Sequence, residues 1–138
     1  MRGLLADKNV ERHMLHLRDL LQAMGLSEIL TEVGVEFFTF TDADLPFDID
    51  DLALWQRCQQ EGFVLFTDNR NEESIDSLQS TLVGLWKSGD LPIITLARKS
   101  KFEQDAAYRE RVAADVAEIV FGIAEGQYRD RDRIYVPL

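Results

Sequence analysis

Three aspartates far apart in the chain, Asp7, Asp51 and Asp68, stand where their surroundings suggest chemistry. Asp7 ends the apolar run GLLA, Asp68 follows the run FVLFT, and Asp51 opens an amphipathic stretch leading into that second run. If the two runs are strands of a parallel sheet, both side chains project over its carboxyl edge, where such sheets bind ligands. The helix between them begins at Asp50 or Asp51, near the same edge, and a one-residue shift in its start exchanges the two. Carboxylates converging there are hard oxygen donors that suit Mg²⁺ or Mn²⁺, ions that keep several waters and need few protein ligands. A metal so held activates water and stabilises the phosphorus centre in phosphodiester cleavage. Asp7, Asp51 and Asp68 are therefore the candidate catalytic and metal-binding residues.

Directly behind FVLF stand Thr67, Asp68, Asn69, Arg70 and Asn71. Residues that hydrogen-bond their own backbone explain a turn, yet a turn seldom needs this whole set behind a buried strand. The cluster reads as a site in which Asp68 faces metal or water, with Thr67 and Asn69 orienting it. Arg70 would meet a phosphate, and Asn69 and Asn71 would join it in holding substrate. Lys8, next to Asp7, is either a further substrate contact or a cation that neutralises Asp7. Arg98, Lys99 and Lys101 follow a later apolar run, and either seat flanking phosphates of a single strand or form a solvated basic loop. The plainer alternatives are Asp7 capping the helix after its strand and Asp51 as a charge favoured at a helix N-terminus.

Other reactive types carry less. His13 and His16 share a helical face, but two histidines alone fall short of the three or four ligands of a zinc site, so surface positions are expected. Cys58 reads as a buried apolar residue, and Trp55 and Trp86 as core anchors. The chain has no Gly-rich phosphate loop, CxxC pair or nucleophile elbow.

The elements that must position these residues follow from periodicity. GLLA (3–6) reads as a strand. Val10, Met14, Leu17, Leu21 and Met24 make a helical stripe closed by Gly25. SEILTEVG reads as a short helix capped by Ser27, and VEFFTF (35–40) as a strand. After an aspartate-rich loop, LALWQRCQQE is a helix with Leu52, Trp55 and Cys58 inward, and FVLFT is the third strand. ESIDSLQSTLVGLWKSG gives a helix with Ile75, Leu78, Leu82 and Leu85 inward, and LPIITLA (91–97) a fourth strand. Tyr108, Val112, Val116, Ile119, Val120 and Ile123 line the last helix, which ends near Gly126. RIYVPL (133–138) reads as an edge strand, because Pro137 would break a central one. Alternating strands and helices predict a single three-layer α/β/α domain over 1–138 with a central, mostly parallel sheet.

A chain of 138 residues with 46% hydrophobic and 29% charged residues is long enough for one well-buried core. Its net charge of −10 disfavours coating of a nucleic-acid duplex, whereas bound divalent cations would supply the missing positive charge. No run approaches the ~20 apolar residues of a membrane span, so no membrane partner is expected. The N-terminus is too short and too soon acidic for a signal peptide. One cysteine makes no internal disulfide, and a reducing cytoplasm is the expected compartment.

Two segments carry a family resemblance. GLLADKNV resembles an opening apolar-Asp-x-Asn segment. DLALWQRCQQEGFVLFTDNRN resembles a segment running from Asp through a helix and Gly to a strand ending in Thr-x-Asp/Asn. Both are similar to PIN-like domains, in particular to small bacterial PIN-like proteins related to toxin-type ribonucleases. The resemblance implies an Mg²⁺- or Mn²⁺-dependent endoribonuclease acting on single-stranded RNA, often the toxin beside a partner antitoxin protein. It places metal ligands at Asp7 and Asp51, with the third acidic position within Asp68-Asn69. Lys8, Asn69 and Asn71 depart from the pattern and lean toward an inactive binding or regulatory module of the same fold. A receiver-like phosphoacceptor at Asp68 is a third reading, weakened because Lys8 rather than an acid follows Asp7. Homodimer formation stays open.

Overall fold

The computed structural model describes residues 1–68 and 84–138. The first strand, β1 (Gly3–Ala6), leads through Asp7 into a 3₁₀ turn (Lys8–Val10) and then α1 (Glu11–Ala23) and α2 (Ser27–Glu32). Next come β2 (Glu36–Phe38), α3 (Asp51–Glu61) and β3 (Phe63–Asp68). After the undescribed stretch follow β4 (Ile93–Leu96), α4 (Lys99–Gln104), α5 (Ala106–Ala124) and β5 (Arg133–Val136). The strands form one sheet in the order β2-β1-β3-β4-β5, and every pairing is parallel. Helices cover both faces, so the fold is the expected three-layer α/β/α.

Parallel strands buried on both faces are apolar throughout, and Gly3–Ala6 and Ile93–Leu96 are buried at every position. The alternation of side chains then divides the core. Leu4, Ala6, Val64, Phe66, Ile94 and Leu96 face α1, α4 and α5, whereas Leu5, Phe63, Leu65 and Ile93 face α3. Gly3 is required where β1 meets β2, since a Cβ there would overlap the Glu36 carbonyl oxygen. Gly62 ends α3 in the left-handed region (φ 78°) and donates its N–H to the Cys58 carbonyl.

The connections fix the edge that matters here. The chain leaves β1 for β2 across the α1 face, then returns over β1 to β3 across the α3 face. The direction of travel thus reverses between β1 and β3, and their carboxyl ends flank the crevice. The β4 to β5 connection continues in the second direction but runs on the α1 face, giving it the opposite hand to the other two. That unusual crossover sets α4 on the α1 face, directly after β4.

Several expectations are corrected. Met24 is exposed at 39% and lies off the buried stripe of Val10, Met14, Leu17 and Leu21. Leu26, not Ser27, is the N-cap of α2. Leu52 is exposed at 43%, and Leu54 takes its place beside Trp55 and Cys58, because at about 100° per residue positions 54, 55 and 58 share one helical face and position 52 falls outside it. Leu85 is exposed, while Ile75, Leu78 and Leu82 lie outside the described residues. The basic residues after β4 do not lie in a loop: Lys99 and Lys101 belong to α4, pinned by the buried Phe102, and Arg98 is its N-cap. β5 is an edge strand, with Pro137 just beyond it.

Candidate functional site at the carboxyl ends of β1 and β3

Asp7 is the most deeply placed acid in the crevice, only 3% exposed. It prolongs the pairing of β1 with β3: its N–H donates to the Phe66 carbonyl at 2.8 Å, and Thr67 Oγ1 donates to its Oδ2 at 3.3 Å. The register pairs Ala6 with Phe66, so Asp7 and Thr67 occupy the next level and share a face. That face is the α3 side, where Leu5 and Leu65 also point. The buried Cys58 thiol on α3 senses this arrangement. Burial first, then the Glu61 and Asp7 carboxylates, push its pKa up from 9.0 to about 12, against the lowering effect of Arg57.

Asp68 lies one residue out of phase. It pairs with Leu96 of β4 and belongs to the opposite, α1-facing side of the sheet. There its Oδ2 stands 4.0 Å from the Lys99 ammonium. Lys99 Nζ also donates to the Asn9 carbonyl at 3.0 Å, so one amine spans the lips of β1 and β3. The docking of α4 holds it: Phe102 is buried, and Arg109 Nη1 donates to the Phe102 and Glu103 carbonyls.

The helix start is resolved by its cap. Asp50 is the N-cap of α3, its Oδ1 accepting from the Ala53 N–H at 2.8 Å, a use that satisfies one orphan donor of the helix. Asp51 is the first helical residue, half-buried, at the end of α3 nearest the carboxyl edge and on the same face as Asp7. Among the described residues, no three Asp, Glu, His or Cys side chains gather closely enough to hold a metal ion. Asn69, Arg70 and Asn71, expected to contact substrate, lie outside the described residues.

The two lysines differ from each other. Lys8 is exposed and turns to the loop before α3, donating to the Phe47 carbonyl at 2.6 Å. Lys99, read only as one of three basic residues after β4, supplies the ammonium in the crevice. Nothing in the sequence singles it out beyond its position after an apolar run, because its partners come from the 3₁₀ turn after β1 and from the end of β3. His16 lies on the exposed surface of α1, as expected, whereas His13 is half-buried. Both rings pack against Phe102, and His13 Nε2 lies 3.1 Å from Glu103 Oε2. Cys58 and Trp55 are buried, as expected, and Trp86 is half-buried with its Nε1 donating to the Leu91 carbonyl. Comparison of the chain with family models, curated proteins and solved structures finds no match.

Proposed function

We propose that the crevice between β1 and β3 is the active site of a PIN-like, Mg²⁺- or Mn²⁺-dependent ribonuclease for single-stranded RNA. The observation that carries this reading is Asp7, a carboxylate 97% shielded from solvent at the point where strand order reverses. An ionised group is seldom placed so deeply unless hydrogen bonds and cations compensate its lost hydration. A bound divalent cation would supply a hydroxide-like water nucleophile and stabilise charge on the phosphate. Asp7 and Asp51 would anchor it from the α3 side, while Asp68 stands on the opposite side of the sheet beside Lys99. Thr67 holds the Asp7 carboxylate in one orientation through its hydroxyl, and Lys99 offers an ammonium to a substrate phosphate.

A second reading is favoured by one specific contact. The Lys99 ammonium lies 4.0 Å from Asp68 Oδ2 and brings positive charge to that carboxylate, which suits a binding or regulatory module in which no cation enters and no RNA is cut. An antitoxin protein or a second copy of the chain would be partners in either case.

The two readings part in one assay. Purified protein is incubated with end-labelled single-stranded RNA and Mn²⁺, beside Asp7→Asn and Asp68→Asn variants. Cleavage by the parent chain that falls at least about a hundredfold in Asp7→Asn supports the nuclease. No cleavage and no Mn²⁺ uptake by any preparation leaves the module.

A further inference from the structure

We infer that the cleft between α1 and α4 is a phosphate-binding subsite, which takes the backbone of a single-stranded RNA on the Lys99 side of the crevice. The inference deepens the ribonuclease reading above by naming where the strand lies, and it involves no metal ion. The cleft has a volume of about 220 Å³ and is lined by Arg12, His13, His16, Phe102 and Glu103. Three of these five side chains carry, or can take up, positive charge. The buried Phe102 acts as a post, with the His13 and His16 rings packed against it at centroid distances of 5.6 and 5.9 Å. The one carboxylate of the lining is drawn to one side, since Glu103 Oε2 lies 3.1 Å from His13 Nε2. Arg12 and His16 are exposed, and among the described residues neither has a hydrogen-bond or ion-pair partner. An uncommitted guanidinium beside an imidazole offers the donors that phosphate oxygens take.

The cleft adjoins the crevice on both of its walls. On α4, Phe102 and Glu103 stand one turn from Lys99, about 5.4 Å along the helix axis. On α1, Arg12 follows shortly after Asn9, whose carbonyl accepts from Lys99 Nζ. The opposite lip is unsuited to a polyanion. Residues 41–51, which lead into α3, hold Asp42, Asp44, Asp48, Asp50 and Asp51 with no Lys or Arg among them. Lys8, the lysine beside Asp7, donates to the Phe47 carbonyl on that side. In a chain of net charge −10, this unevenness steers a phosphate backbone away from the acidic lip and over Lys99 into the cleft.

The chain has 2 histidines, and both line the cleft, so their imidazole Hε1 signals in proton NMR report on it directly. A fluorescein-labelled oligouridylate is titrated in EDTA, with affinity read by fluorescence anisotropy, against the parent chain, Arg12→Glu, Arg12→Lys and Arg12→Ala. Arg18→Glu, an equal charge change on α1 outside the lining, is the control, and circular dichroism checks that each variant folds. RNA is expected to shift both imidazole signals of the parent. Arg12→Glu should weaken binding about tenfold, Arg12→Lys by no more than about threefold and Arg18→Glu by no more than about twofold. In Arg12→Ala the slope of log affinity against log salt should fall by about 0.7. RNA that binds the parent without moving either imidazole signal, or equal losses in Arg12→Glu and Arg18→Glu, overturns the subsite and leaves the ribonuclease reading standing. Inorganic phosphate that moves the signals where RNA does not also overturns it. RNA bound through the cleft but left uncut when Mn²⁺ is added keeps the subsite and removes the nuclease. Absence of RNA binding by the parent removes both.

Discussion

Raising the pH should weaken this protein through one buried thiol. Cys58 is 1% exposed, and its pKa rises from 9.0 to about 12 on folding, chiefly because burial disfavours the thiolate. Below pH 9 the thiol is protonated in both folded and unfolded chains, and its contribution is constant. Above pH 9 the unfolded chain releases the proton while the folded chain keeps it, so stability falls through the window from pH 9 to about 12. The slope approaches 1.4 kcal/mol per pH unit, which amounts to roughly 2 kcal/mol lost by about pH 10.5. Other groups titrate there too, so the measurement is a difference. Urea unfolding of the parent chain and Cys58→Ala is followed near pH 8 and near pH 10.5. The parent should lose about 2 kcal/mol more than the variant across that interval. Since the Asp7 carboxylate also raises this pKa, Asp7→Asn should lower the folded-state value, so that the loss levels off at a lower pH and is smaller in total, which tests whether Asp7 faces α3. Parallel loss of stability in the parent and Cys58→Ala would refute the assignment of a buried, protonated thiol.

Three further outcomes are expected. Thr67→Val removes the hydroxyl that donates to buried Asp7 and should lower unfolding free energy by about 1–2 kcal/mol, read by urea denaturation; an unchanged value argues against the contact. Asp50→Ala deletes the α3 cap and should cost about 1 kcal/mol, whereas Asp51→Ala should change stability less and weaken Mn²⁺ binding in calorimetry. Leu54→Ala should cost roughly 2–5 kcal/mol as a core truncation, while Leu52→Ala, on the exposed side of α3, should stay within about 0.5 kcal/mol. The reverse order in thermal melts would mean that α3 presents its other face.

What the sequence determined is mostly local. The spacing of Val10, Met14, Leu17 and Leu21, and of the apolar residues from Tyr108 to Ile123, identified α1 and α5 because helix period and burial write the same pattern. The unbroken apolar runs of β1, β3 and β4 announced strands covered on both faces, and Pro137 marked β5 as an edge. Asp7 and Asp68 were legible as acids at strand ends for the same reason. Tertiary structure decided which of them meet. A parallel register of Ala6 with Phe66 puts Thr67 beside Asp7 and sends Asp68 to the other face. A slip of one residue would exchange Thr67 and Asp68, and nothing within either strand records the pairing. The crossover from β4 to β5 then delivers Lys99 to Asp68 and Asn9. Contacts between residues so distant in sequence depend on strand order and chain direction, which exist only once the sheet has formed.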